Sequence, residues 1–549
     1  MNFASQTMKS TDTVDKDWWR GAVIYQIYPR SFQDSNGDGI GDLAGIISRL
    51  PYVASLGVDA IWISPFFPSP MQDFGYDVAD YRDVDPMFGT LPAFDQLVRT
   101  AHDLGLRVII DLVLSHTSDQ HPWFVESRAN RENPRANWYV WADPKPDGTP
   151  PNNWLSIFGG SAWEWDGRRR QYYLHNFLSS QPDLNFHTPA VQDALLDVAR
   201  FWLDRGVDGF RFDTINFFFC DKALRDNPAL PKEQRNASIA PDVNPYNFQD
   251  HLYDKNRPEN LAFLRRMRSL MDEYPAITAV GEVGDAQYGM EIMGQYTAGD
   301  DLMHMCYAFD FLSSAPLDRD HVTYVLQQYA KFAPDGWACW AFSNHDVVRH
   351  ASRWSLDTDA QKLAATLLMS LRGSICLYQG EELGLNEATL AFDDLQDPYG
   401  IRFWPEFKGR DGCRTPMVWT SDTPNGGFSS TEPWLPIAPE HLTKAVSTQE
   451  NSAISLLAHY RRMIKFRKYH KALRKGKLTL INDNTEALTF LRTYTDETLF
   501  CAFNLGAEAL DLTLPKGEWH ALDGLEFTAR LEGANLHLPV GQAFFAWQT

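Results

Sequence analysis

Apolar residues along the first third of the chain fall in short unbroken runs separated by stretches with helical spacing. Residues 22–29 read AVIYQIYP, 60–65 read AIWISP and 107–114 read RVIIDLVL. Runs of this length without polar alternation predict strands buried on both faces. Between them 45–56 has a helical look, and 91–104 sets Phe94, Leu97, Val98, Ala101 and Leu104 on one helical face. Strand and helix alternating in this way predict a parallel sheet covered on its faces.

The alternation stops over 118–187, a stretch rich in Pro, Asn, Trp and Gly that reads as an inserted excursion. Helical spacing resumes at Val191, Leu195, Val198 and Trp202 and leads into a fourth strand ending near Asp213. Further strands are expected over 277–283, 305–311, 337–343 and 374–379. Eight strand–helix units in one run predict an α/β fold, a closed (β/α)8 TIM barrel, over an open doubly wound sheet. The barrel is expected over 1–117 and 188–470, with an inserted subdomain over 118–187 after the third strand. A last helix is expected over 452–468. Short alternating strands at 478–481, 488–491, 499–503 and 510–514 then predict a C-terminal antiparallel β-sandwich domain, 471–549.

The fourth strand carries the first chemistry. In GFRFDTIN, 209–216, a period of two puts Gly209, Arg211 and Asp213 on one face and Phe210 and Phe212 on the other. The Phe residues are expected to pack outward on helices. A neighbouring guanidinium keeps an Asp ionised, and an ionised Asp at a strand's C-terminal end can serve as a nucleophile. In isolation the pair reads first as a structural ion pair. The other strand ends change that: Asp111 with Ser115 and His116, then Glu282, then Asn344, His345 and Asp346 gather on the same rim. With Arg211 and Asp213 that makes four carboxylates, two His and an Arg without a Cys cluster, a set that suits acid/base and nucleophilic work on a neutral ligand. No H-x-x-x-H or H-x-H spacing supports a catalytic metal, and no Gly-rich dinucleotide or P-loop signature is present.

Charge narrows the partners. A net charge of −21 opposes nucleic acid and anionic membrane surfaces. The 18 Trp and 21 Tyr exceed what a core needs; most are expected simply to pack, while rings of this kind also line clefts that hold flat, partly apolar ligands such as sugars. The six cysteines form no C-x-x-C and read as buried thiols. The polar N-terminus lacks an apolar leader segment and no run is long enough to span a bilayer, so a soluble cytoplasmic protein is expected.

Taken together, GFRFDTIN, GEVG, FSNHD and DLVLSH resemble the four short conserved regions of the α-amylase superfamily, glycoside hydrolase family 13. QPDLN at 181–185, IYQIYPRSF at 24–32 and RDGCRTPM at 410–417 are similar to its α-glucosidases and oligo-1,6-glucosidases. Ser115 departs from the pattern, in which many members carry Asn before the His. The resemblance implies Asp213 as nucleophile, Glu282 as general acid/base and Asp346 as transition-state stabiliser of a retaining glycosidase. It also implies that Asp73, Tyr76, His116, Phe158, Phe177, Arg211, His345 and Arg410 grip the non-reducing glucose, with Asp73 and Arg410 closing that end and Tyr76 stacking on the ring. Arg414 shares the motif of Arg410.

Residues 34–42, DSNGDGIGD, look like an EF-hand loop, but its twelfth position is Gly45 where a bidentate Glu is needed. The resemblance instead implies one structural Ca2+ or Mg2+ held by Asp34, Asn36, Asp38, the Ile40 carbonyl and Asp42. A turn-rich loop without metal is the alternative. In similar enzymes Val after the nucleophile goes with α-1,6 cleavage and Thr or Ala with α-1,4, so Thr214 points to α-1,4 glucosides. The expectation is an exo-acting α-glucosidase on small oligosaccharides such as maltose, with sucrose as a further substrate and transglucosylation alongside. Oligo-1,6-glucosidase, sucrose isomerase and trehalose synthase stay open, as does, more remotely, a non-catalytic transporter-associated protein. Oligomeric state is not legible.

Overall fold

The computed structural model describes residues 15–481 and 486–548. The expectation that the polar N-terminus carries no leader falls largely on residues 1–14, outside the described residues. Eight parallel strands form the central sheet: β1 (Val23–Ile27), β2 (Ala60–Ile63), β3 (Arg107–Leu112), β4 (Gly209–Phe212), β5 (Thr278–Val283), β6 (Met305–Ala308), β7 (Cys339–Trp340) and β8 (Ser374–Tyr378). Their order is β7-β8-β1-β2-β3-β4-β5-β6, and a parallel bridge between Cys306 and Ala338 joins the two ends into a ring. The helices that follow the strands in turn are α1 (Leu43–Ser55), α2 (Leu91–Asp103), α3 (Pro189–Leu203), α4 (Asn260–Met271), α5 (Gly289–Tyr296), α6 (Arg319–Phe332), α7 (Thr358–Ser370) and α8 (Leu456–Tyr469).

Strand alternation divides the core into two layers. Ile24, Trp62, Ile109, Val280, Tyr307 and Cys376 fill the barrel interior. The alternate strand positions, among them Tyr25, Ile61, Ile110, Phe210 and Phe212, pack outward with the helices, as the period of two requires. All six cysteines are buried and free.

Most strands stop short of their apolar runs, β6 and β7 among them. The run at 337–343 pairs only over Cys339–Trp340, and Phe309–Phe311 turns into a 3-10 helix where the chain bends at the barrel rim. The insertion after β3 holds a helix, Pro122–Ala129, and a sheet of Trp141–Ala142, Gln171–Leu174 and Trp163–Asp166. Strands of two to four residues are too short to leave a periodic signal. A second excursion, 213–259, follows β4 with only 3-10 turns.

After α8 the chain forms antiparallel sheets of five and three strands. The expected strands are joined by Trp519–Ala521, Arg530–Glu532, Asn535–Leu538 and Ala543–Gln548. The hairpin between Tyr494 and Glu497 turns at Thr495 and Asp496. Two buried guanidiniums, Arg467 and Arg492, donate to the carbonyls of Met369, Ser370, Leu371 and Gly373. They cap the C-terminal end of α7 against α8 and the five-stranded sheet, a position where cations are favoured.

Candidate active site

The inward face of β4 starts with a residue that has no side chain. A Cβ on Gly209 would stand 2.5 Å from the Thr278 carbonyl oxygen, so only glycine fits beside β5. Two residues on, the fully buried Arg211 points into the barrel and gathers three carboxylates. Its Nη1 donates to both Asp111 oxygens (2.9 and 3.1 Å) and to Asp213 (2.5 Å). Its Nη2 reaches Glu282 (2.6 Å) and the Tyr307 hydroxyl (2.7 Å), which in turn donates to Glu282 (2.9 Å). Asp213 is the first residue past β4, and the next backbone N–H, from Thr214, donates to Glu282 at 3.0 Å.

Burial sets the proton affinities. Glu282 is pushed up to about 8 by burial and by the Asp213 and Asp346 charges, against Arg211. Asp213 rises to about 6, because burial and Asp111 outweigh the guanidinium. The expected pull of Arg211 is present, yet it does not bring Asp213 below the ordinary carboxylate range. The order still separates the pair: around neutral pH Asp213 is ionised and Glu282 holds its proton.

A second group of charges lies across the rim. Burial would raise Asp346, but His345, Arg410, Arg414 and Arg211 hold it well below the usual range. Arg414 donates to Asp346 (2.9 Å) and to the His345 carbonyl (2.7 Å). Arg410 reaches Asp346 (3.3 Å), Asp73 (2.7 Å) and Asp397 (2.8 Å), with its guanidinium over the Phe158 ring. His345 is pushed down to about 3, chiefly by burial, and is therefore neutral. Gln26 donates to its Nδ1 (2.7 Å), so Nε2 carries the proton and meets the Tyr76 hydroxyl (2.5 Å), which donates on to Asp111 (3.1 Å). The Tyr76 and His345 rings stack with an interplanar angle of 6°.

These groups surround a cavity of about 130 Å3. That is small against the roughly 300–1,000 Å3 of drug-sized sites, room for a single ring. Asp73, Tyr76, His116, Phe158, Phe177, Asp213, Thr214, Glu282, Asp346 and Arg410 all line it, whereas Arg211 and His345 lie beneath. The sequence did not point to Ile157, Phe217, Ser238, Ile239, Gly284, Phe309, Val347 or Tyr399, which complete the wall. Of these, Gly284 ends GEVG, while Phe217 and Val347 directly follow GFRFDTIN and FSNHD.

The 34–42 loop lies apart from this cavity. Asp34 accepts from the Asn36, Gly37 and Gly39 amides and the Ser429 hydroxyl. Asp42 caps α1 by accepting from Gly45 and also takes both Ser35 donors. Asn36 bonds Asp38 at 3.0 Å. The donors are all oxygen and suit a hard cation in kind, but Asp34 and Asp42 spend their acceptor capacity on the protein itself. Among the described residues no three His, Cys, Asp or Glu stand together for a metal ion.

A sequence profile for the α-amylase catalytic domain matches residues 26–476. The chain belongs to the α-amylase family. As a member of glycoside hydrolase family 13 it is an enzyme, and its relatives carry glucosidase names. A probable α-glucosidase of Rhizobium meliloti is 64% identical over 99% of both chains. An oligo-1,6-glucosidase of Heyndrickxia coagulans is 37% identical over 92% of this chain and 96% of its own. Among solved structures, an α-glucosyl transfer enzyme superposes with a TM-score of 0.94 at 53% identity, over 97% of this chain and 99% of its own. The trehalulose synthase of Pseudomonas mesoacidophila gives 0.87 at 32%, over 97% and 99%. Among the described residues of this glycoside hydrolase, no helix is long and apolar enough to cross a membrane.

Proposed function

We propose that this glycoside hydrolase is an exo-acting retaining α-glucosidase that releases α-D-glucose from the non-reducing end of short α-1,4 glucosides. Maltose is the first substrate and sucrose a further one, with transfer to an acceptor sugar alongside hydrolysis. One observation carries the reading: a one-ring cavity walled by the Arg410–Asp73 ion pair, with Asp213 and Glu282 held by the same guanidinium. Such bridging supports the short carboxyl separation of retaining enzymes, roughly 5–5.5 Å, over the roughly 6.5–9.5 Å that an inverting water needs.

The steps follow from the proton order. The Asp213 carboxylate attacks the anomeric carbon while Glu282 gives its proton to the glycosidic oxygen, and the aglycone leaves. Glu282, now anionic, takes a proton from water or an acceptor hydroxyl, whose oxygen displaces Asp213. Asp346, anionic throughout, offsets the positive charge that develops on the ring. The R. meliloti relative supports hydrolysis, while the transfer enzyme and the trehalulose synthase support a second reading as a transferase or isomerase on this scaffold. A panel of maltose, isomaltose, sucrose, trehalose and starch, followed by NMR, separates them. Maltose turnover with α-glucose as the first anomer is expected; β-glucose first would end the retaining assignment, and isomerised sucrose would favour the second reading.

The pH dependence is fixed by the same two groups. Activity needs Asp213 ionised and Glu282 protonated. The kcat/KM profile should therefore rise through about pH 6 and fall through about pH 8, as properties of the coupled pair.

The proposed cation is tested apart from activity. An ion entering the 34–42 loop must take carboxylate oxygens from Ser35 and Ser429. Chelation should lower Tm, and Ca2+ or Mg2+ should restore it. A Tm unmoved by either leaves the loop as a turn scaffold held by its own amides.

A further inference from the structure

Thr214 sits in backbone geometry that its side chain disfavours. Its φ of 41° and ψ of 49° lie in the left-handed region, an outlier for a β-branched residue. A residue kept there is held by its surroundings. Its N–H donates to Glu282 (3.0 Å), and its Oγ1 lies between Asp213 Oδ2 (3.2 Å) and Ser115 Oγ (3.1 Å).

The direction of the Ser115 contact follows from donor counting. His116 Nε2 lies 2.9 Å from the Tyr76 carbonyl oxygen, which only accepts, so the ring proton is on Nε2. Burial pushes His116 down to about 4, so Nδ1 is a bare acceptor near neutral pH. The Ser115 hydroxyl, 2.9 Å from Nδ1, must give its one proton there. Towards Thr214, Ser115 then offers only a lone pair. Its own main chain is fixed from the other side, where its carbonyl accepts from Leu184 of the QPDLN segment. The Thr214 hydroxyl thus has one proton and two competing acceptors, the nucleophile and Ser115.

We propose that Ser115 is a positioning residue for linkage selectivity, holding the Thr214 side chain with Oγ1 beside the nucleophile through a directed His116–Ser115–Thr214 chain. Ser115 is absent from the cavity wall and acts through Thr214. The proposal rests on the reading of Thr214 as the residue that favours α-1,4 over α-1,6 bonds. Without Ser115 the Thr214 side chain is free to rotate and to present its methyl where the hydroxyl was, as Val would.

The test is a double-mutant cycle on kcat/KM for maltose and isomaltose, with Ser115→Ala, Thr214→Val and both together. Thr214→Val is expected to move the ratio towards isomaltose, and Ser115→Ala to move it the same way by about fivefold, the scale of one neutral hydrogen bond. The double variant should match Thr214→Val alone. Ser115→Cys, which keeps the bulk but accepts poorly, should shift the ratio in the same direction. A Ser115→Ala loss equal on both substrates, or one that adds in full to Thr214→Val, overturns the proposal while leaving Thr214 in its role. A ratio unmoved by Thr214→Val overturns the reading of Thr214 itself, and this proposal with it.

Discussion

Asp213→Asn is expected to lower kcat on maltose by about four to six orders of magnitude, the range seen when a covalent nucleophile is removed. The amide keeps the shape and can still bond Arg211, so substrate binding should persist and KM should change little. Stability should hold or improve. Asp213 binds its proton more tightly folded than unfolded, since burial raises it to about 6. Its favourable contribution is therefore present below the ordinary Asp range and lost as pH rises through about 6. The neutral variant has no such loss, so its Tm should be less sensitive to pH between about 4 and 7. Circular dichroism and melting curves beside the kinetics check both parts. Residual activity within tenfold of wild type would remove Asp213 from its assigned role.

Arg211→Lys should be nearly as damaging, for a different reason. The guanidinium supplies a planar fork to Asp111, Asp213, Glu282 and the Tyr307 hydroxyl, and it lies 5.0 Å from the Trp62 ring centroid. An ammonium is a single point with three donors and cannot cover both sides of that fork. Buried carboxylates left without a partner cost about 3–5 kcal/mol of stability, visible as a lower midpoint in urea. The kinetic signature is more specific. The shorter side chain sets its charge farther from the carboxylates, so Asp213 and Glu282 both bind their protons more tightly and both limbs of the pH profile should move up, the acid limb above about 6. At pH 7, kcat/KM should fall about 10^3-fold, with part of it regained at higher pH. A stable variant with an unmoved acid limb would show that Arg211 does not tune the nucleophile.

Much of this was legible because barrel strands advertise themselves. Apolar runs such as RVIIDLVL mark β3, and alternation in GFRFD alone separates inward Arg211 from outward Phe210 and Phe212. What stayed hidden has physical causes. Ser238 and Ile239 come from an excursion with no regular period, held by loop contacts such as Asn244 on the Ile157 carbonyl. Phe309, Val347 and Tyr399 lie on turns and on a short helix far apart in sequence, and only barrel closure brings them to one cavity. The left-handed turn at Thr214 runs against β-branched preference, so local propensity argues for the wrong backbone there. The 34–42 loop illustrates the reverse: its spacing reads as a cation loop, while the folded Asp34 and Asp42 are already satisfied by amides and hydroxyls.

The ion pair between Arg410 and Asp73, with Asp397 behind it, walls one end of the cavity. Under the proposed activity, every sugar must enter and leave by one mouth, in reverse order, with the enclosed glucose last to go. The enzyme then measures termini and is blind to chain mass. At equal weight, a long unbranched glucan presents few termini and a disaccharide many, so initial rate per gram should fall with chain length even where affinity per terminus is constant. Branching should restore it in proportion to the number of tips.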